Sequence, residues 1–362
     1  MNPDGPGRPD VAGAAGRPSL DRLGALDIEV AVRAAIAATV PLGILVAAGR
    51  PEWAAYAAFG AMTALFGRNE PYRLRLRTVT VAAVLLLASI GAGALLAVTA
   101  ASDAVVGVVL GVLIVVGVLV VNVARLAPPT VLFFVFALLV CASAPTPSDE
   151  LAPRLGVALA SAGFAWLLSL SGSVLRRMAG PRGARLLREL EREAPVRRAA
   201  ATDRAVWANA IEQVVAALAA GAVAVAFGLG HPYWAVVSVV AVIPPAGAAR
   251  TLSRAWHRVL GTAGGVLVAA AVLWPDPPAW LLVVLIGLAQ FGAEVLVGRH
   301  YGSALLCITP LALMVVHLSA PVDVGTLVVD RLVETALGCA IAMLAVLIGR
   351  AAAARGRTGI LA

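Results

Sequence analysis

The chain contains no lysine: all 28 of its basic residues are arginine. A Gly-x-x-x-x-Gly-Lys-Ser/Thr phosphate loop therefore cannot occur, which excludes ATP-driven work by this chain alone. Charge is scarce altogether, at 13% of 362 residues, where soluble domains carry about a quarter. Only three cysteines are present, Cys141, Cys307 and Cys339, all in apolar stretches. Their odd number and spacing exclude a disulfide framework or a thiolate metal centre, and they read as buried packing residues. No His-Glu-x-x-His occurs, and Ser169, Ser171 and Ser173 have no nearby histidine. Neither an enzyme nor a metal or other cofactor is expected. The first 27 residues lack the apolar core of a cleaved signal peptide.

What remains is apolar. Hydrophobic residues make up 61% of the chain and the mean hydropathy is +0.93, the balance of an integral membrane protein. A helical crossing needs about 20 apolar residues. The runs predict an all-α polytopic protein of about 12 spans, six in each half. In the first half they cover 28–48, 53–67, 78–99, 104–124, 129–144 and 155–175. In the second they cover 208–229, 234–249, 259–274, 279–298, 302–318 and 329–349.

A short motif divides the chain. Gly49-Arg50-Pro51-Glu52-Trp53-Ala54 returns 181 positions later as Gly230-His231-Pro232-Tyr233-Trp234-Ala235, and Arg73 and Arg77 return as Arg254 and Arg258. The predicted organisation is a disordered cytoplasmic tail (1–27), a six-helix repeat (28–175), a basic linker helix (176–206), a second repeat (207–349) and a cytoplasmic tail (350–362). With an even number of spans in each half, the repeats are parallel, and transport paths commonly lie between such repeats.

Arginine placement gives orientation. With the N-terminus inside, the inner loops and linker hold nearly every arginine, and the outer side receives Arg50, Arg154 and Arg331 among several carboxylates. This is the positive-inside pattern of a multi-pass plasma-membrane protein with both termini cytoplasmic. The arginines are thereby explained by the lipid bilayer as partner, and nucleic acid is not expected. Whether copies form a homo-oligomer stays open.

Several residues are candidates for chemistry. Spans two and eight are short, begin at Trp53 and Trp234, and carry Gly60 or Pro244-Pro245, so their backbone must be shielded from lipid. They are expected to meet face to face across the symmetry axis. Each tryptophan also suits an interfacial anchor. Arg73, Arg77, Arg254 and Arg258 read either as topology anchors or as a funnel for anions at the inner mouth. Ionisable groups inside spans are costly and point to function. Glu294, Glu212 and Glu334 are proton-coupling candidates; Glu294 has no charged partner in its own helix, whereas Glu334 stands one turn from Arg331. The outer-side Arg154 and Arg331 occupy matching places, opening spans six and twelve.

The motifs Gly49-Arg-Pro-Glu-Trp-Ala, Gly67-Arg-Asn-Glu-Pro-Tyr-Arg-Leu-Arg-Leu-Arg77, His231-Pro-Tyr-Trp-Ala and Arg258-Val-Leu-Gly-Thr-Ala-Gly-Gly265 resemble the fusaric acid resistance (FUSC) family over most of 28–349. That resemblance implies a six-plus-six helical membrane protein that moves organic anions, akin to bacterial aromatic-acid exporters and plant aluminium-activated malate channels. The chain departs from the Gram-negative exporters in having no large domain between its halves, which puts adaptor-dependent efflux in doubt. The expected function is proton-coupled export of small aromatic carboxylates. A passive anion channel and a non-transporting scaffold are the alternatives.

Overall fold

A computed structural model describes residues 25–68, 70–178, 196–243 and 249–358. These form twelve α-helices: α1 (Ala25–Ala47), α2 (Ala54–Ala61), α3 (Tyr72–Val98), α4 (Asp103–Ala124), α5 (Leu132–Ser143), α6 (Leu151–Met178), α7 (Arg204–Ala226), α8 (Tyr233–Val242), α9 (Ala249–Leu273), α10 (Ala279–Val297), α11 (Tyr301–Ser319) and α12 (Val324–Thr358). Among the described residues nine helices are long and apolar enough to cross a membrane. The other three, α2, α5 and α8, have 8, 12 and 10 residues. At 1.5 Å per residue none reaches across about 30 Å of hydrocarbon. The expected spans 53–67, 129–144 and 234–249 are thus half-length helices held inside the protein.

Local chemistry sets the ends. Proline occupies the N-cap of α3, α8 and α10 (Pro71, Pro232, Pro278), where its missing N–H costs nothing. Asp203 caps α7 by accepting from the Ala205 N–H at 2.9 Å. Asp323 caps α12 through the Thr326 N–H at 2.8 Å, and these bonds hold its carboxyl below the usual carboxylate range. At the far end of α8, Ile243 is extended, as a residue directly before proline must be. The expected break at Pro244, Pro245 and Gly247 lies outside the described residues.

The helices pack as a duplicated set. In the first half α3 packs on α5 and α6, and α2 on α1 and α6; in the second, α9 packs on α11 and α12, and α8 on α7 and α12. Between halves, α1 packs on α10 as α7 packs on α4, and α2 on α11 as α8 on α5. Each of these pairs recurs six helices later, which is twofold pseudosymmetry. The turn after the first helix is also shared. Gly49 (φ 69°) and Gly228 (φ 66°) each stand in the left-handed region two residues beyond α1 and α7, and each N–H returns to the third residue before it, Val46 or Val225. Gly228, rather than the motif's Gly230, is thus the counterpart of Gly49.

Three expectations shift. Helices α2 and α8 do not face each other; each packs on the fifth helix of the opposite half. Phe136 of α5 bridges them, with its ring 5.0 Å from Phe59 and 4.9 Å from Trp234. The last helix runs on to Thr358, through most of the stretch read as a C-terminal tail, and α1 already begins at Ala25. Of the expected linker helix over 176–206, residues 179–195 lie outside the described residues, as do 1–24 of the N-terminal tail.

Candidate functional site

The short helices leave unsatisfied carbonyls inside the protein, and arginines from the next helix reach them. Arg75 Nε donates to Gly67 O at 3.1 Å, beyond α2, and Arg254 Nε donates to Ala241 O at 3.2 Å, in the last turn of α8. A cation at a helix C-terminus is favourable because the dipole is negative there. Of the four arginines expected at a mouth, Arg73 is exposed, while Arg77 donates to Ala124 O at 2.8 Å. Arg258 is only 3% exposed and donates to the Tyr301 hydroxyl at 3.2 Å. The Arg254 guanidinium lies 5.0 Å from the centre of the same Tyr301 ring. The second half thus draws its two arginines inward onto Tyr301, a residue that periodicity did not mark.

The outer-side arginines sit beside the repeated tryptophans. Arg154 is tied off completely. Its Nε and Nη2 donate to Glu150 Oε2 at 3.0 and 2.6 Å, and its Nη1 donates to Pro145 O and Thr146 Oγ1 at 2.9 and 3.0 Å. The Trp53 indole N–H also donates to Glu150 Oε2, at 3.1 Å. One carboxylate is therefore received by a guanidinium fork and an indole together. In the second half the Arg331 guanidinium stacks 3.8 Å from the centre of the Trp234 ring. Trp234 is fully buried rather than anchored at an interface, and Arg331 is 1% exposed. Yet Arg331 Nε and Nη1 and the Trp234 indole nitrogen have no hydrogen-bond partner.

The acidic candidates separate. Glu294 has a partner from the other half of the chain. Arg68 Nη1 donates to Glu294 Oε2 at 3.2 Å and to Glu294 O at 2.8 Å, and Arg68 Nη2 meets Asp27 at 3.0 Å. Arg299 also approaches Asp27, at 3.7 Å. Glu334 is wholly buried; its Oε1 accepts the His231 N–H at 2.9 Å and its Oε2 has no partner. Glu334 and Arg331, one turn apart on α12, do not form an ion pair within 4.0 Å. Glu212 is half-buried on α7, and the nearest thing to Gly349 of α12 is its carboxylate.

The two contacts between halves are unequal. Along α1 and α10, Gly287 admits Thr39 so closely that a Cβ there would meet the Thr39 hydroxyl. Beside this contact lies a void of about 30 Å³ lined by apolar side chains and Gln290. Along α4 and α7, Gly107 and Gly111 leave ordinary van der Waals room to Leu218 and Val214, at 3.4 and 3.6 Å. There the helices enclose an apolar groove of about 1070 Å³ that reaches Tyr233 and Pro232. Among the described residues no three His, Cys, Asp or Glu side chains gather as metal ligands would.

Known proteins resemble parts of this chain. Residues 216–345, covering most of α7 through α12, match the family model described as fusaric acid resistance protein-like. The chain is 31% identical over 140 residues to the uncharacterised membrane protein YvaC of Bacillus subtilis (strain 168), an alignment spanning 38% of this chain and 22% of that relative. The chain thus matches about a fifth of that relative's length. No solved structure matches. With its long apolar helices, the chain is a multi-pass membrane protein, and residues 216–345 of its second half are similar to the fusaric acid resistance protein-like family.

Proposed function

We propose that the protein is a transporter of small organic anions, with aromatic carboxylates as its substrate class and protons as the coupling ion. The observation that carries this reading is the pair of guanidiniums, Arg258 and Arg331, buried at 3% and 1% exposure in one apolar half. Placing such charges among membrane helices costs several kcal/mol unless an anion meets them. The family description adds an acid to that picture, since it is named for resistance to one. Proton coupling falls to Glu334 rather than Glu294: Glu334 keeps one carboxylate oxygen without a donor, while Glu294 is bound by Arg68.

The test is benzoate flux in proteoliposomes, with and without an imposed pH gradient. Gradient-driven accumulation is the expected result. Glu334→Gln should abolish accumulation while benzoate exchange continues, because a neutral side chain still packs but carries no proton. Flux indifferent to the gradient would make the protein a passive channel, and absence of benzoate flux would defeat the transport reading.

The protein is placed in the plasma membrane with its Arg-rich end in the cytoplasm, on the positive-inside argument. A cysteine at the exposed Arg198, next to α7, should react with an impermeant maleimide only after permeabilisation. Labelling in intact cells would reverse the orientation.

A further inference from the structure

The two halves hold corresponding arginines in different states, and their register can be fixed residue by residue. In the first half Ser161, seven positions after Arg154, donates to the carbonyl of Ala57, the residue after Tyr56, at 2.7 Å. In the second half Gly338, seven positions after Arg331, lies against the carbonyl of Ala235, the residue after Trp234, and against Ser238, just as Ser161 lies against Ala57 and Gly60. Tyr56 and Arg154 therefore correspond to Trp234 and Arg331, and each guanidinium lies over its ring, 5.6 and 3.8 Å from the centre. In this register Glu150, four positions before Arg154, corresponds to Leu327, four positions before Arg331.

The first half thus carries its own carboxylate on its arginine, and the second half carries a buried leucine in its place. The orphaned groups agree. Arg331 Nε, Arg331 Nη1 and Trp234 Nε1 lack acceptors, as do the hydroxyls of Ser238, Thr262 and Thr335 on α8, α9 and α12. Buried donors without acceptors are rare in folded proteins and call for a missing group. A planar guanidinium fork stacked on an indole suits a carboxylate on an aromatic ring, the fork taking the oxygens and the indole plane flanking the ring.

We propose that Arg331 and Trp234 form the carboxylate-binding site of this protein. The first-half counterpart, Arg154 over Tyr56, is a closed copy held by Glu150. The molecule then has one ligand site for two structural halves. This deepens the organic-anion reading above and rests on it.

The closing experiment gives the second half an internal carboxylate. Leu327→Glu, Leu327→Gln, Arg331→Lys and wild type are purified in detergent, and binding of benzoate and of neutral benzamide is measured beside proteoliposome flux. Leu327→Glu should lose benzoate binding and flux by at least about tenfold relative to Leu327→Gln, since its carboxylate occupies the fork. Arg331→Lys keeps the charge but not the fork, and should weaken benzoate by about tenfold while its melting temperature stays near that of wild type. Benzamide should bind none of the proteins. Equal benzoate affinity in wild type, Leu327→Glu and Arg331→Lys would overturn the site while leaving transport standing. A wild-type protein that neither binds nor moves benzoate would overturn the transport reading and the site with it.

Discussion

Gly93→Ala is expected to destabilise the protein severely, whereas Gly91→Ala, two positions away on the same helix, stabilises it slightly. A Cβ at Gly93 would meet the carbonyl of Leu138 on α5, with Cys141 and Ala142 at 2.9 and 3.1 Å. Backbone cannot swing aside as a side chain can, so α3 and α5 must separate along their whole contact. Overpacking of this kind costs roughly 1–3 kcal/mol or more. A Cβ at Gly91 meets nothing within 4 Å, and there the substitution only improves helix propensity, by up to about 1 kcal/mol. Thermal midpoints of the two purified variants in one detergent decide the matter. Equal midpoints would mean that α3 and α5 do not approach as described.

Arg68→Gln should be the most damaging single polar substitution. Its guanidinium joins the loop after α2 to Glu294 of α10 and to Asp27 of α1, with Arg68 and Glu294 side chains only 18% and 11% exposed. Removing one partner strands a carboxylate, at a cost on the order of 3 kcal/mol, the lower end for buried pairs because some water reaches both. Adding Glu294→Gln to Arg68→Gln should restore much of that loss, because neither charge is then left alone. A cycle of the four proteins, followed by thermal unfolding, reads the coupling directly. Additive losses in the double variant would show that the pair is a contact without energetic consequence.

Much of this fold was legible because it is local and repetitive. Runs of apolar residues between Pro, Gly and Asp located all twelve helices, and Trp53 and Trp234 revealed the duplication. Length was harder. The run at 129–144 carries no charge, but α5 begins only at Leu132, and nothing in hydropathy separates a half-length helix buried in protein from a true span. The site was legible as a set of residue types and not as an arrangement. Arg154 and Arg331 looked equivalent in sequence; what separates them is whether position −4 is Glu150 or Leu327, and that matters only once the register of α6 and α12 is known. Arg68 and Glu294 are 226 positions apart, and no local period reports a contact between halves. Tyr301, which receives both Arg254 and Arg258, lay at a helix start where topology alone accounts for a polar residue.

The unequal contacts between halves have a mechanical consequence. The seam along α1 and α10 is stiff: Thr39 is seated against Gly287, and Arg68 pins its Arg-rich end to Glu294 and Asp27. The seam along α4 and α7 is compliant, since its glycines leave slack and the groove beside them offers little cohesion between helices. A torque between the halves therefore meets resistance on one edge and yields on the other, as in a book bound along a single spine. In a bilayer the open edge faces acyl chains, so the lateral pressure of the lipid bears on that edge, and the spine takes up the strain.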